Sequence, residues 1–177
     1  LARQADAMEG YFEQVVDTLT AAGYRWYETA NFCLAGESAD GRDLRAHHNL
    51  GYWGGYDYLG LGIGAVSTVS GERRRNLPSL PRYVEALAAG MSPARELEPI
   101  DRETHMRELL LLGLRLDEPV ALVDVAAAVD TDALARLVEL DLVELTANGR
   151  GEELRLTRRG RFLGGGVTAE LLVLGAG

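Results

Sequence analysis

The stretch from Arg45 to Val69, RAHHNLGYWGGYDYLGLGIGAVSTV, sets glycine among aromatic and β-branched residues at a density that few local structures tolerate. Glycine weakens helix and strand interiors alike, because it surrenders more backbone freedom on folding than any other residue. A segment built this way must therefore pass close to other backbone or to a ligand. Its second half, YLGLGIGAVSTV, reads as a buried strand interrupted by Gly62 and Gly64. GLGIGA also fits the dinucleotide pattern G-x-G-x-x-A at Gly60, Gly62 and Ala65. That pattern needs a helix next, to point its N-terminus at a pyrophosphate, and the VSTV that follows is strand. No Rossmann site is read here.

The first half carries more chemistry. HNLGYW places one nitrogen ligand, His48, beside the flat apolar rings of Tyr52 and Trp53, a set that suits a large planar ligand such as a tetrapyrrole. The same residues also serve as a core-lining aromatic cluster with a hydrogen-bonded histidine, which is the commoner use of such side chains. His47 and His48 are adjacent, so their rings leave the backbone on different faces and chelate poorly. His105 and Cys33 add no zinc-like spacing, and Ser67 lacks the strand-to-helix elbow of a hydrolase nucleophile. Neither a metal site nor a catalytic residue is expected.

Composition narrows the function classes. A chain of 177 residues suffices for one ordinary domain or two small ones. Its net charge of −9 argues against life on nucleic acid, which requires clustered basic side chains to neutralise phosphates. Cys33 is the only cysteine, so no disulfide or iron–sulfur cluster can be built from this chain alone. No apolar run approaches the roughly 18 residues of a membrane span, and LARQADAMEGYFEQ lacks a signal peptide's apolar centre. A soluble cytoplasmic protein is expected, and a first residue of leucine points to a piece of something longer.

Along the chain, Met8, Phe12, Val15, Leu19 and Ala22 recur at helical spacing and Gly23 stands where that helix would end. YRWYE, from Tyr24, reads as a short strand, and Ala35 to Arg45 as a long surface loop. RRRN reads as a basic turn, followed by a short helix with Pro81 near its start and Gly90 past its end. MSPARELEPI reads as a linker, with a boundary near Pro99 that divides the chain into 1–98 and 99–177. Beyond it, Asp101 caps a helix carrying Met106, Leu109, Leu110, Gly113 and Leu114 on one face. ALVDVAAAV and TDALARLVEL read as two further helices, DLVELTANGRGEELRLT as a hairpin turning at Asn148 and Gly149, and the last segment as a helix weakened by Gly164 to Gly166. Three helices, a hairpin and a closing helix is a winged-helix-like order. Residues 101–177 hold nine arginines against fourteen carboxylates, so packing or protein contact is expected there rather than DNA binding.

GYRWYETANF followed by HHNLGYWGGYDYLGLGIGA resembles the latter part of bacterial radical S-adenosylmethionine proteins related to oxygen-independent coproporphyrinogen III oxidase, and within them the heme chaperone branch. That branch's pattern is YE-x-[SA]-NF, HN-x-x-YW, then YLG-x-G-x-GA. Glu28, Asn31 and Phe32 fill the first element, His48, Asn49, Tyr52 and Trp53 the second, and Tyr58 to Gly60, Gly62, Gly64 and Ala65 the third. Arg75 and Asn76 match a turn of the family, ELLLLGLRLDEPV its long helix, and LTRRGRFLGGGVTAELL its C-terminal signature.

The resemblance implies an α+β chain, the end of a partial α/β barrel followed by a winged-helix-like domain with a β-hairpin. It implies heme binding and transfer, with His48 as axial ligand, Tyr52 and Trp53 against the macrocycle, and Asn49 holding the loop by hydrogen bonds. Gly60, Gly62, Gly64 and Ala65 would approach S-adenosylmethionine in the intact parent. The [4Fe–4S] cluster belongs to a cysteine triplet in a barrel region this chain lacks, so it should be inactive in radical chemistry alone. Expected partners are heme, the missing barrel and a heme-acceptor protein, with neither nucleic acid nor an integral membrane segment. The rival expectation is a non-enzymatic interaction domain that docks on the barrel or on a protein partner, and that self-associates through the face it exposes.

Overall fold

The computed structural model describes residues 2–36 and 41–173, with side chains from residue 10 onward. Helix α1 (Ala2–Ala21) ends at Gly23, whose φ of 87° belongs to the left-handed region that glycine enters without strain. Its inward stripe is Phe12, Val16 and Leu19, while Val15 is 45% exposed. The expected stripe is thus rotated by one residue at its centre, and the Met8 side chain lies outside the described residues.

Strands β1 (Tyr24–Glu28) and β2 (Asn31–Leu34) form an antiparallel hairpin. β2 is a strand that the sequence reading left unassigned, and residues 37–40 of the expected loop fall outside the described residues. Helix α2 (His47–Trp53) follows, so HNLGYW is helical.

The next sheet overturns three expectations. Strands β3 (Val66–Val69), β4 (Glu72–Asn76) and β5 (Arg95–Pro99) run antiparallel in the order β3-β4-β5. RRRN is therefore strand, and the turn lies one step earlier at Ser70 and Gly71, both at positive φ. The second half of the expected linker is β5. Charge hid both strands: Arg73 of β4 faces Glu98 of β5, so the pairing joins half-exposed ionic side chains rather than apolar ones. Residues 59–65 are not strand either, but a loop closed by Tyr58 and Thr68, which exchange two backbone hydrogen bonds. Helix α3 (Leu80–Ala88) crosses between β4 and β5, with Pro81 in its first turn and Gly90 beyond its end as expected.

Helix α4 (Arg102–Gly113) starts where Asp101 accepts from the Thr104 N–H at 2.7 Å. The segment read as one helix, ALVDVAAAV, gives up Ala121 to β6 (Val120–Ala121), which pairs with β8, and continues as one turn α5 (Leu122–Val125) and a 3₁₀ turn at Ala126–Ala128. Helix α6 (Thr131–Glu139), capped by Asp130, leads into the hairpin of β7 (Val143–Asn148) and β8 (Gly151–Leu156). The sheet order is β6-β8-β7. Helices α7 (Arg158–Phe162) and α8 (Gly164–Leu171) close the chain with a break at Leu163. Gly160 is required in α7, since a Cβ there would meet the Leu142 carbonyl oxygen at 1.8 Å.

The fold is mixed helix and strand, and its core is unevenly placed. Met106, Leu110, Leu114, Leu134, Leu137, Leu154 and Leu171 form one buried cluster between α4, α6, α8 and the β6-β8-β7 sheet. Among the described residues from 41 to 98, only Ser67 and Asn76 are buried.

Candidate functional site

Strand β1 fixes α2 in place. The Tyr27 hydroxyl, fully buried, accepts from the N–H of Ala46, the residue before α2, at 3.2 Å. Next to it Glu28, only 1% exposed, accepts from Arg115 Nε at 3.1 Å and Nη2 at 2.8 Å, from the Ala30 N–H, and from the Asn31 amide. Burial alone would push this carboxyl up, but the donors outweigh it and hold Glu28 below the ordinary carboxylate range. The Arg115 guanidinium lies 4.2 Å from the centre of the Trp53 ring. Glu28, Arg115 and Trp53 thus form one chain of contacts from the YE-x-A-NF hairpin to the HN-x-x-YW helix.

Spacing along α2 separates its residues into two faces. His48 and Tyr52, four apart, meet edge to face with ring centres 4.9 Å apart, and Tyr52 reaches Tyr58 at 4.7 Å. His48 is exposed, whereas Asn49 and Trp53 are half-buried. His47 turns away to the Asp43 carbonyl, 3.2 Å from its Nε2, so the histidines diverge as expected. The hydrogen bonds expected of the Asn49 side chain are not formed among the described residues. Tyr27 and Arg115 anchor the helix instead. The Trp53 Nε1 is buried and has no acceptor among the described residues.

The glycine loop is held from below. The buried Asn76 donates from Nδ2 to the Gly62 carbonyl at 2.9 Å, its carbonyl accepts from Gly64 N–H, and its own N–H donates to Ala65. Ser67 Oγ and the Tyr83 hydroxyl accept from the N–H groups of Gly60 and Gly62. At Gly60 a Cβ would stand 2.2 Å from the Val66 oxygen, so the space that glycine leaves is used by the chain's own backbone. Gly62 and Gly64 take positive φ and leave open space around them.

Between α2, the β3–β4 turn and α4 lies a cavity of about 490 Å³. Tyr52, Trp53, Tyr56, Tyr58, Leu109 and Leu112 give it aromatic and aliphatic walls, and Asp57, Thr68, Arg73, His105 and Glu108 its polar groups. Arg73 Nη2 donates to both oxygens of Glu108 at 2.6 and 2.8 Å, tying β4 to α4. Sequence reasoning missed Arg115 and Arg73, since each acts on residues far away in the chain and carries no local pattern. Cys33 is buried, which pushes its thiol up and makes it a poor nucleophile. Among the described residues no cluster of three or more His, Cys, Asp or Glu is placed to hold a metal, and no helix is long and apolar enough to cross a membrane.

With this geometry in hand, the likenesses to known proteins fall on one family. Residues 100–163 match the HemN C-terminal domain, and the fold over 90% of this chain is similar to that of Escherichia coli HemN, described as a coproporphyrinogen III oxidase and radical SAM enzyme. That structural likeness has a TM-score of 0.61, covers 39% of the HemN chain and carries 17% sequence identity, so it speaks for the fold alone. Residues 100–163 thus match one family model, and the chain as a whole is similar to HemN-like proteins. Among such proteins, it is 32% identical over 94% of its length to the heme chaperone HemW of Mycobacterium tuberculosis. It is 30% identical over 91% of its length to that of Bacillus subtilis. The chain spans 40% and 41% of these two relatives.

Proposed function

We propose that this chain carries the heme-handling part of a heme chaperone of the HemN-like family, without radical chemistry of its own. The observation that carries the reading is α2, which sets an exposed imidazole, His48, edge-on to Tyr52, a residue whose ring lines an aromatic cavity that His48 itself does not line. A cavity of this size with aromatic walls and few polar groups fits a flat macrocycle, and the buried Trp53 Nε1–H is a donor still to be matched by an acceptor. His48 would supply a nitrogen ligand to the iron, Tyr52 and Trp53 would pack on the ring, and Asn49 would border it.

The other groups of the family fit differently. A lone buried Cys33 cannot hold a [4Fe–4S] cluster, so that cofactor belongs to other residues of an intact parent. Contact with S-adenosylmethionine in such a parent falls to Gly62, Gly64 and Ala65, because the space at Gly60 is occupied by Val66. We read residues 1–98 as the end of the barrel and 99–177 as the winged-helix-like domain, supported by the order α4, β6, α5, α6, β7, β8 and the three-stranded sheet. The acidic balance of the second part favours a protein partner, such as a heme acceptor, over nucleic acid. The cytoplasm is the compartment in which we place this work.

Hemin titrated into the chain and into His48→Ala, followed at the Soret band, tests the reading. Saturable one-to-one binding that weakens in the variant is expected, and an unaltered chain that shows no saturable binding overturns it. One observation favours a second reading, a docking module: α3 turns Leu80, Val84 and Leu87 to the outside.

A further inference from the structure

The imidazole that lines the cavity beside α2 is His105, not His48. His105, Leu109 and Leu112 follow one another at helical spacing on the cavity side of α4, and the Asp101 cap fixes where that helix begins. Across the space stand Tyr52 and Tyr58, whose rings already contact each other. His48 stands one turn before Tyr52, near the start of α2, and contacts this wall through it. Among the described residues, the His105 side chain makes neither a hydrogen bond nor an ion pair.

A second group faces the same space. Arg73 commits Nη2 to Glu108, while Nη1 is 3.7 Å from Glu98, too far for a hydrogen bond. Its remaining N–H groups are suited to a carboxylate. A mostly apolar cavity with one free imidazole and one partly engaged guanidinium, its carboxylates Glu108 and Asp57 already held by Arg73 and by the Ser70 N–H, has the donor set for a planar, metal-bearing macrocycle with acidic substituents. We propose that the cavity seats such a ring, with His105 as an iron ligand and Arg73 as the partner of a ring carboxylate. This rests on the heme-binding reading and assigns to it the residues of a wall that the HN-x-x-YW motif does not contain.

The test compares the unaltered chain, His48→Ala, His105→Ala and Ile100→Trp, each checked for folding by circular dichroism, in titrations with hemin and with metal-free protoporphyrin. Ile100 lines the cavity, so the tryptophan fills it without removing an imidazole. The expected result is hemin binding about tenfold weaker in His105→Ala, with a displaced Soret maximum. Protoporphyrin, which has no iron, should bind His105→Ala as it binds the unaltered chain, and Ile100→Trp should lose both ligands. If His105→Ala and Ile100→Trp bind hemin as the unaltered chain does, the inference is overturned, and a loss confined to His48→Ala would leave the heme reading intact. Absence of saturable hemin binding to the unaltered chain overturns both.

Discussion

Arg115 shows how much one side chain can join. Its guanidinium meets Glu28 on one side and covers Trp53 on the other, although Glu28 lies 87 residues before it. Arg115→Ala would leave a buried carboxylate with fewer donors, a loss of roughly 1–3 kcal/mol in urea unfolding. The change should also alter the emission of Trp53, one of two tryptophans in the chain. A stability equal to that of the unaltered chain would show that water replaces the guanidinium without loss. The Glu28 carboxyl is held below its ordinary range, so its contribution is fully present above the unfolded-state value and is lost as pH falls through the lower, folded one. Thermal unfolding midpoints of Glu28→Gln should therefore lie below those of the unaltered chain near neutrality and converge on them in acid. The sequence offered Glu28, Asn31, His48 and Trp53 as motif residues, but not the arginine that links them, because a contact across 87 positions has no local periodicity.

At the scale of elements, legibility followed the nature of the pairing. Helix α4 was readable from Asp101 and its apolar face, α6 from the run TDALARLVEL, and the β7–β8 hairpin from its turn. Strands β4 and β5 were not, since arginine and glutamate meet across their register where an apolar alternation would normally mark a strand. The glycine run misled in the other direction. Its β-branched end suggests one strand, yet residues 59–65 loop out and are pinned by Asn76. Asn76→Ala should cost about 1–3 kcal/mol, as the Gly62 carbonyl loses its side-chain donor while the backbone bonds of residue 76 to Gly64 and Ala65 remain. Hydrogen exchange should then quicken at Gly62 to Ala65 before it does in α6. At the far end of the chain, Gly160→Ala pushes a methyl group against the Leu142 carbonyl, and a loss of roughly 1–3 kcal/mol is expected from the forced separation of α7 and β7. Unchanged unfolding in that variant would mean that α7 shifts freely.

For the whole molecule, the decisive fact is where the core lies. The large aliphatic cluster belongs to the second part of the chain, whereas residues 41–98 bury only two polar side chains among those described. Leu61 is 88% exposed, and α3 presents Leu80, Val84 and Leu87 to the outside, with Met91 exposed just beyond. Helix faces of this kind normally face a partner, since an apolar stripe gains stability only when water leaves it. The isolated chain should associate with itself through this face as its concentration rises. Sedimentation velocity would show a rising weight-average mass, and Val84→Glu with Leu87→Glu would return it to that of a monomer, both residues being exposed enough to accept charge without disturbing the fold. A monomer at every concentration, with no binding of a hydrophobic dye to the unaltered chain, would rule out a docking face on α3. The cavity beside α2 would then remain as an apolar surface that self-association does not explain, and the heme titrations would decide its use.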